Sequence, residues 1–341
     1  MSNGAVTGSS TLIGTLSAIL YQTGRILRKM YSVVSLFAGI GGICLGFKQA
    51  GFDVIWANEK DHAACLTYRY NFGNNYLVEG DIREIPEESI PHADVLAAGF
   101  PCQSFSTAGA GRGFADPRGT LFFEVIRVAK AIQPRVIFLE NVENLMDHDG
   151  GRTFQTIYSS LVELGYIIRY QAMATHEYAN IPQTRRRVYI VAFSDLELSD
   201  HFSFPEPIPL TSRAMEWIKL DERKPDIYYY SEDTVFDRYI RDTVTNRRYI
   251  YRVFNGAARV LTNGKCPTLT ASMSTPRNAA VLRDDFGVRR LSLRESLIFQ
   301  GFPAEFYFPN TIKIHDAYKQ IGNSVSVPVI RRIAEEIQRI I

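Results

Sequence analysis

Tyr31-Ser32-Val33-Val34-Ser35-Leu36-Phe37-Ala38-Gly39-Ile40-Gly41-Gly42 is the stretch on which the reading of the fold turns. Its first seven residues form a nearly unbroken apolar run, as a strand covered on both faces requires. The run breaks at the glycines and resumes as a helix through Leu45, Phe47 and Lys48. Strand, glycine turn and helix in that order open a βαβ unit. The glycines let main chain approach a ligand closely, and the helix start offers free N–H groups. The next apolar run, Phe52-Asp53-Val54-Ile55-Trp56-Ala57, ends at Asn58-Glu59. Glu59 stands twenty positions after Gly39, where a carboxylate accepts hydrogen bonds from a ribose diol. The spacing G-x-G-G departs from G-x-G-x-x-G, which disfavours a dinucleotide and favours an adenosine-type cofactor.

Further strands follow outward from this unit. Tyr76-Leu77-Val78-Glu79-Gly80-Asp81-Ile82 closes on Asp81 as the second run closes on Glu59, so two acids line one sheet edge. Residues 93–98 form a buried strand that opens into Gly99-Phe100-Pro101-Cys102-Gln103-Ser104-Phe105-Ser106. This sets Cys102 just past a strand's carboxyl end, where an α/β enzyme presents a nucleophile, and Pro101 stiffens the loop. Gly109, Gly111, Gly113 and Gly119 mark residues 107–119 as a lid. A fifth strand, 135–139, ends in Glu140, so an acid shares the edge with Cys102. Residues 166–171 and 187–193 read as the last strands of the sheet. Between them lies Gln183-Thr184-Arg185-Arg186-Arg187, whose arginines suit a phosphate or a substrate base.

The 341 residues are 46% hydrophobic and 22% charged, ordinary for a soluble protein with a large core. The net charge of +2 says little, but residues 238–294 hold twelve Lys/Arg against three Asp/Glu. Such a block, interleaved with Tyr249, Tyr251 and Phe254, suits a polyanionic partner and nucleic acid in particular. Cys44, Cys65, Cys102 and Cys266 are spaced neither as a metal clip nor as a disulfide scaffold, so no metal is expected and a reduced cytosol is the natural setting. No apolar run reaches the ~18 residues of a membrane span. Residues 1–30 read as an appended extension with an amphipathic helix through Leu12, Leu16, Ile19, Leu20, Thr23, Ile26 and Leu27. Pro205, Pro207 and Pro209 mark a linker. The expected division is a catalytic and cofactor-binding domain at 31–200, a small irregular β-containing domain at 201–315, and a helix at 316–341 returning to the first domain. Arg289-Arg290-Leu291-Ser292-Leu293-Arg294-Glu295 reads as the start of a helix.

Taken together, these segments resemble the family of DNA (cytosine-5)-methyltransferases of the bacterial modification-methylase type, in the family's linear order over residues 31–341. The motifs are Ser35-Leu36-Phe37-Ala38-Gly39-Ile40-Gly41-Gly42, the Cys102 loop, Arg118-Gly119-Thr120-Leu121-Phe122, Glu140-Asn141-Val142, Gln183-Thr184-Arg185-Arg186-Arg187, Arg294-Glu295 with Gln300-Gly301-Phe302-Pro303, and Gly322-Asn323-Ser324-Val325. Arg186 stands where relatives often have Glu. Cys266-Pro267-Thr268-Leu269-Thr270 is similar to the family's segment near the target base.

The resemblance implies an α/β fold: a Rossmann-like mixed sheet with helices on both faces, as in S-adenosylmethionine-dependent methyltransferases, plus a small target-recognition domain. It implies Cys102 as nucleophile towards C6 of a flipped-out cytosine, with Glu140, Arg185 and Arg187 around the base. It implies S-adenosylmethionine, leaving as S-adenosylhomocysteine, near Phe37, Gly39, Gly41, Glu59, Asp81, Ile82, Pro101, Leu121, Asn323, Ser324 and Val325. Gln103, Ser106, Thr268 and Leu269 are implied as contacts to double-stranded DNA. The implied setting is a monomer acting on DNA in the bacterial cytosol, nucleoid-associated in use, away from membranes and accompanied by a separate restriction endonuclease. Three alternatives stand beside this: a related tRNA cytosine-5 methyltransferase, a DNA-binding protein without activity, and a nicotinamide-dependent oxidoreductase.

Overall fold

The apolar run that opens the chain's first unit is strand β1 (Ser32–Leu36). Six strands join it: β2 (Asp53–Glu59), β3 (Leu77–Glu79), β4 (Val95–Ala98), β5 (Val136–Val142), β6 (Ile167–Ala174) and β7 (Arg186–Phe193). The computed structural model describes residues 30–100 and 121–341. The strand order is β3-β2-β1-β4-β5-β7-β6, parallel except that β7 runs antiparallel to both of its neighbours. β1 pairs with β2 on one side and with β4 on the other, so the order of the sheet reverses there. A crevice outside the carboxyl ends of strands at such a reversal is where open α/β sheets bind ligands.

The helices are α1 (Gly42–Gln49), α2 (His62–Phe72), α3 (Leu121–Ile132), α4 (Arg152–Glu163), α5 (Thr175–Tyr178), α6 (Leu196–His201), α7 (Val235–Thr243), α8 (Leu293–Phe299), α9 (Ile314–Asn323) and α10 (Val327–Ile340). Alternate strand residues point to opposite faces of the sheet. Val33, Val54, Ala97 and Phe138 therefore pack against Phe47 of α1, Tyr68 of α2 and the Val329, Ile330, Ile333 and Ile337 stripe of α10. Val34, Leu96, Ile137 and Leu139 pack against Phe122 and Val125 of α3 and Ile157 and Leu161 of α4. Each large aliphatic side chain so buried contributes about 1.5–3 kcal/mol. Gly46 lets α10 lie against α1, since a Cβ there would stand 2.6 Å from Cβ of Ile330. Among the described residues no helix is long and apolar enough to cross a membrane.

A second, antiparallel sheet is built from β8 (Tyr251–Phe254), β9 (Ala257–Val260), β10 (Ala279–Arg283) and β11 (Val288–Arg290), in the order β11-β10-β8-β9. One of its faces packs on Tyr230, Ile240 and Val244. On the other, Ala280 and Leu282 join Leu269, Met273 and Phe299 in a core that also holds Ile40, Ile321 and Val327. That shared core ties the second sheet to the glycine turn and to the C-terminal helices.

Local differences from the sequence reading have identifiable causes. The third strand ends at Glu79, and Asp81 instead caps the turn Ile82–Glu84 by accepting from the N–H of Arg83. The fifth strand runs on through Glu140 to Val142 because β7 pairs along its whole length, with Glu140 opposite Tyr189. Arg289 and Arg290 belong to strand β11, and the helix starts later, behind a capping box of Ser292 and Glu295. The Arg289 guanidinium is fully buried between Asp284 and Glu295, both of which pair with it. The C-terminal helical run is two helices, broken at 324–326 between Asn323 and Val327.

Candidate active site

A cavity of about 510 Å³ opens at the carboxyl ends of β1, β2, β4 and β5. One end is built by the glycine turn. Oε2 of Glu59 accepts the N–H of Gly39 at 2.8 Å, while Oε1 accepts from the N–H groups of Lys60 and Asp61 at 2.9 and 2.8 Å. Three main-chain donors thus fix the carboxylate at the edge of the cavity. Phe37 lines the same end with φ at +54°, a left-handed conformation uncommon for a bulky side chain and found mainly where a site demands it. The space a Cβ on Gly39 would take is open, so the turn leaves room for a ligand. Asp81 is held by Arg83, which donates Nε to Oδ1 at 2.9 Å and Nη2 to Oδ2 at 2.5 Å. The Arg83 partnership pulls the Asp81 carboxyl down to about 2. Ile82 and Leu121 line the cavity beside it, with Asn323, Ser324 and Val325 opposite.

These residues fit an adenosyl amino acid. The two carboxylates at neighbouring strand ends offer acceptors for hydroxyl and amino groups. Oγ of Ser324 and Nε2 of Gln320 are buried without a hydrogen-bond partner among the described residues, and both residues line the cavity. Buried polar atoms of this kind cost about 1–3 kcal/mol unless something pairs with them.

The other end holds Glu140, Arg185 and Arg187. Glu140 and Arg187 come from paired strands, and Arg187 Nε lies 3.3 Å from Glu140 Oε1. Oε1 of Glu140 is buried and makes no hydrogen bond of normal geometry among the described residues. Arg185 is almost wholly buried, 3.9 Å from the same Glu140 oxygen. Burial, and the Arg187 charge beside it, pull its guanidinium down to about 9, still a cation near neutral pH. Gly99 closes this end, 3.7 Å from Glu140 Oε2 at the point where a Cβ would stand. Asn141 Nδ2 donates to the carbonyl of Phe100 at 2.9 Å and so anchors the chain just before the cysteine loop. Pro101, Cys102, Gln103, Ser106 and the 107–119 segment lie outside the described residues, as does the helix expected within 1–30.

The structure thus brings Phe37, Gly39, Glu59, Asp81, Ile82, Leu121, Glu140, Arg185, Arg187, Asn323, Ser324 and Val325 to one cavity. Gly41, expected at the cofactor, does not line it. It is the left-handed N-cap of α1, and a Cβ there would run into the rings of Phe72 and Tyr68. Leu269, expected at DNA, has its side chain only 3% exposed, inside the shared core. Thr268 sits beside it, with Oγ1 at 3.4 Å from that of Thr184. Gln320 was not anticipated. It lies three positions before Asn323 on α9, and its Oε1 faces Thr67 Oγ1 at 2.8 Å. That helical spacing was the available signal. Gln183, a motif residue with no role of its own in the sequence reading, is fully buried and donates to the Phe299 carbonyl at 2.6 Å. Among the described residues no group of three or more His, Cys, Asp or Glu is placed to hold a metal ion.

The sheet with its one reversed strand, and a cavity carrying acids at one end and a Glu–Arg pair at the other, define a class of group-transfer enzyme working on a nucleoside-type cofactor. Residues 31–339 match the model of the C-5 cytosine-specific DNA methylases, and the chain belongs to that family. It is 46% identical to the Type II methyltransferase M.Bsp6I of Bacillus sp. (strain RFL6), over 91% of this chain and 99% of that protein. It is 37% identical to the Type II methyltransferase M.SsoII of Shigella sonnei, over 90% of this chain and 80% of that protein. A crystal structure of a Spodoptera frugiperda DNMT2 variant shares the fold, with a TM-score of 0.70 at 18% identity over 90% of this chain and 99% of that one. The chain is therefore a DNA cytosine-5 methyltransferase using S-adenosylmethionine, and the tRNA, inactive-binder and nicotinamide alternatives fall away.

Proposed function

We propose that Cys102 adds to C6 of a cytosine swung out of double-stranded DNA, and that Glu140 and Arg187 hold that base. The observation that carries this reading is the Glu140–Arg187 pair in the same cavity as the Glu59 and Asp81 carboxylates, next to the turn that leads to Cys102. C5 of cytosine is a weak nucleophile until a thiolate joins C6 and makes it enamine-like. When bound, S-adenosylmethionine supplies an electrophilic methyl group on a sulfonium. The chain's residues do the rest. Glu140 donates a proton to N3 as negative charge builds there, with Arg187 orienting the carboxyl group. Arg185 and Arg187 supply a positive field that favours the thiolate. Once C5 carries the methyl group its proton passes to water, the C–H electrons re-form the C5–C6 double bond as the Cys102 thiolate leaves, and N3 returns its proton to Glu140. The target lies inside the base stack, so it must flip to reach the pocket.

In this reading Glu59 takes the ribose hydroxyls, Asp81 and Ile82 the adenine edge, Phe37 an adenine face, and Asn323 to Val325 the amino-acid end, released as S-adenosylhomocysteine without a metal. Residues 201–315 read the DNA sequence, between the catalytic part at 31–200 and the returning helix at 316–341, with 1–30 an extension. In support, Arg252 and Arg259 face each other across β8 and β9, and Arg252 lies 5.0 Å from the ring centre of half-exposed Phe254. Gln103, Ser106 and Thr268 join in DNA contact. The Type II relatives support a bacterial restriction–modification setting, with the enzyme a monomer on DNA in the cytosol and a separate endonuclease as counterpart.

The test is a duplex carrying 5-fluorocytosine at the methylated position, identified by plasmid methylation and bisulfite sequencing. With cofactor present the chain is trapped covalently, and Cys102→Ser abolishes trapping. Methylation that survives in Cys102→Ser overturns the proposal.

A further inference from the structure

Arg185 spends its guanidinium on main chain. Nη1 donates to the carbonyl of Leu269 at 3.1 Å and to that of Gly322 at 3.4 Å, and Nη2 donates to the carbonyl of Ser324. These carbonyls belong to two segments far apart in the sequence. One is the Thr268–Leu269 turn beside the second sheet, and the other is the end of α9, where Asn323, Ser324 and Val325 line the cofactor end of the cavity. The segments also meet directly. A Cβ on Gly322 would overlap the backbone of Thr270 and Ala271, so only glycine permits this approach. The segment that carries Arg185, just before β7, is registered on the same turn, with Thr184 N–H on the Cys266 carbonyl at 2.9 Å and Cys266 N–H on that of Pro182 at 2.7 Å. A planar guanidinium joined to three carbonyls holds them in one arrangement, and close packing leaves no slack to absorb a shift.

We propose that Arg185 is a positioning residue that couples the two ligands: cofactor at the Asn323–Val325 turn and DNA at the Thr268–Leu269 turn each favour the other through its guanidinium. This rests on the methyl-transfer reading, which supplies both ligands. A ligand that draws Ser324 into a fixed position also fixes Arg185, and with it the Leu269 carbonyl. The converse follows by linkage, with the same factor in both directions.

The experiment titrates S-adenosylhomocysteine into the full chain with and without a duplex bearing its methylated sequence, and the duplex with and without S-adenosylhomocysteine. Wild type shows each ligand tightening the other equally, by about 5- to 150-fold. In Arg185→Lys the charge remains but the three-way fork is lost, and the factor falls to about one. A residue that only supports the fold would weaken both ligands and leave that factor unchanged. As a measurement free of any variant, S-adenosylhomocysteine alone slows amide exchange at 266–271 in wild type. A wild-type factor of one, an unchanged factor in Arg185→Lys, or no protection at 266–271 overturns the coupling. A chain that methylates no duplex defeats the underlying reading instead, and the exchange result, which needs cofactor alone, tells the two failures apart.

Discussion

Arg187 Nε lies 3.3 Å from Oε1 of Glu140, and both side chains are nearly buried. A carboxylate so placed is oriented by its partner yet keeps acceptor capacity for a third group. Glu140 and Arg187 therefore act as one unit on the base. Glu140→Ala is expected to lower kcat/KM by about 10²–10⁴-fold, the usual range for a positioned proton donor or acceptor. Arg187→Ala acts through the same pair, so the double variant loses less than the product of the single losses. Methyl transfer at saturating cofactor measures this, and strictly multiplicative losses would show that the residues act separately.

Glu59 accepts three main-chain N–H groups before any ligand arrives. Glu59→Gln replaces one acceptor oxygen with a donor, which then confronts an N–H at the turn. Calorimetry should show S-adenosylhomocysteine binding about 10- to 100-fold more weakly, in line with about 1–3 kcal/mol for a mispaired buried group. Affinity for DNA alone should hardly move. Unchanged cofactor affinity would remove Glu59 from the site.

The features legible in the sequence were local ones. The β1 turn, the acid after β2 and the α10 stripe announce themselves through apolar period and spacing, because each is decided within a few residues. What was not legible depends on partners far along the chain. Glu140 looked like a strand end, and only the antiparallel arrival of β7 carries the strand past it. Arg289 looked like the start of a helix. Its burial in β11 needs Asp284 and Glu295 around it, a tertiary pairing that no periodic pattern encodes. Arg185 read as an arginine for a phosphate or a substrate base, but its donors meet carbonyls from two other segments. Gly41 matched a cofactor glycine, whereas its conformation serves the packing of α1 against Phe72.

Asp81 is held by Arg83, and its carboxyl titrates at about 2 instead of its ordinary 3.8. A depressed acid stabilises the folded state above its unfolded pKa, and that contribution disappears as pH falls through the folded value. Arg83→Ala removes the partner. The urea-unfolding difference between wild type and this variant should stay constant from pH 8 to about 5 and shrink below about pH 4. The difference will be small, because Arg83 is half exposed. A gap that persists undiminished at pH 3 would mean the pair is not what lowers the Asp81 pKa.

Arg289 is the largest fully buried side chain among the described residues, and its charge is matched by Asp284 on one side and by a two-pronged contact to Glu295 on the other. Glu295 also accepts the N–H of Ser292 at 2.7 Å and so starts α8. Just past the end of that helix, Gln300 Nε2 donates to the Ile321 carbonyl at 2.8 Å, next to the cofactor turn. Removing the arginine leaves two buried carboxylates facing each other, so Arg289→Met should cost about 3–5 kcal/mol in urea unfolding. Replacing all three charges together, as Arg289→Met with Asp284→Asn and Glu295→Gln, should recover part of that loss, because the penalty comes from uncompensated charge more than from lost contacts. A triple variant no more stable than Arg289→Met would show instead that the guanidinium's shape and hydrogen bonds, not charge balance, join the second sheet to α8.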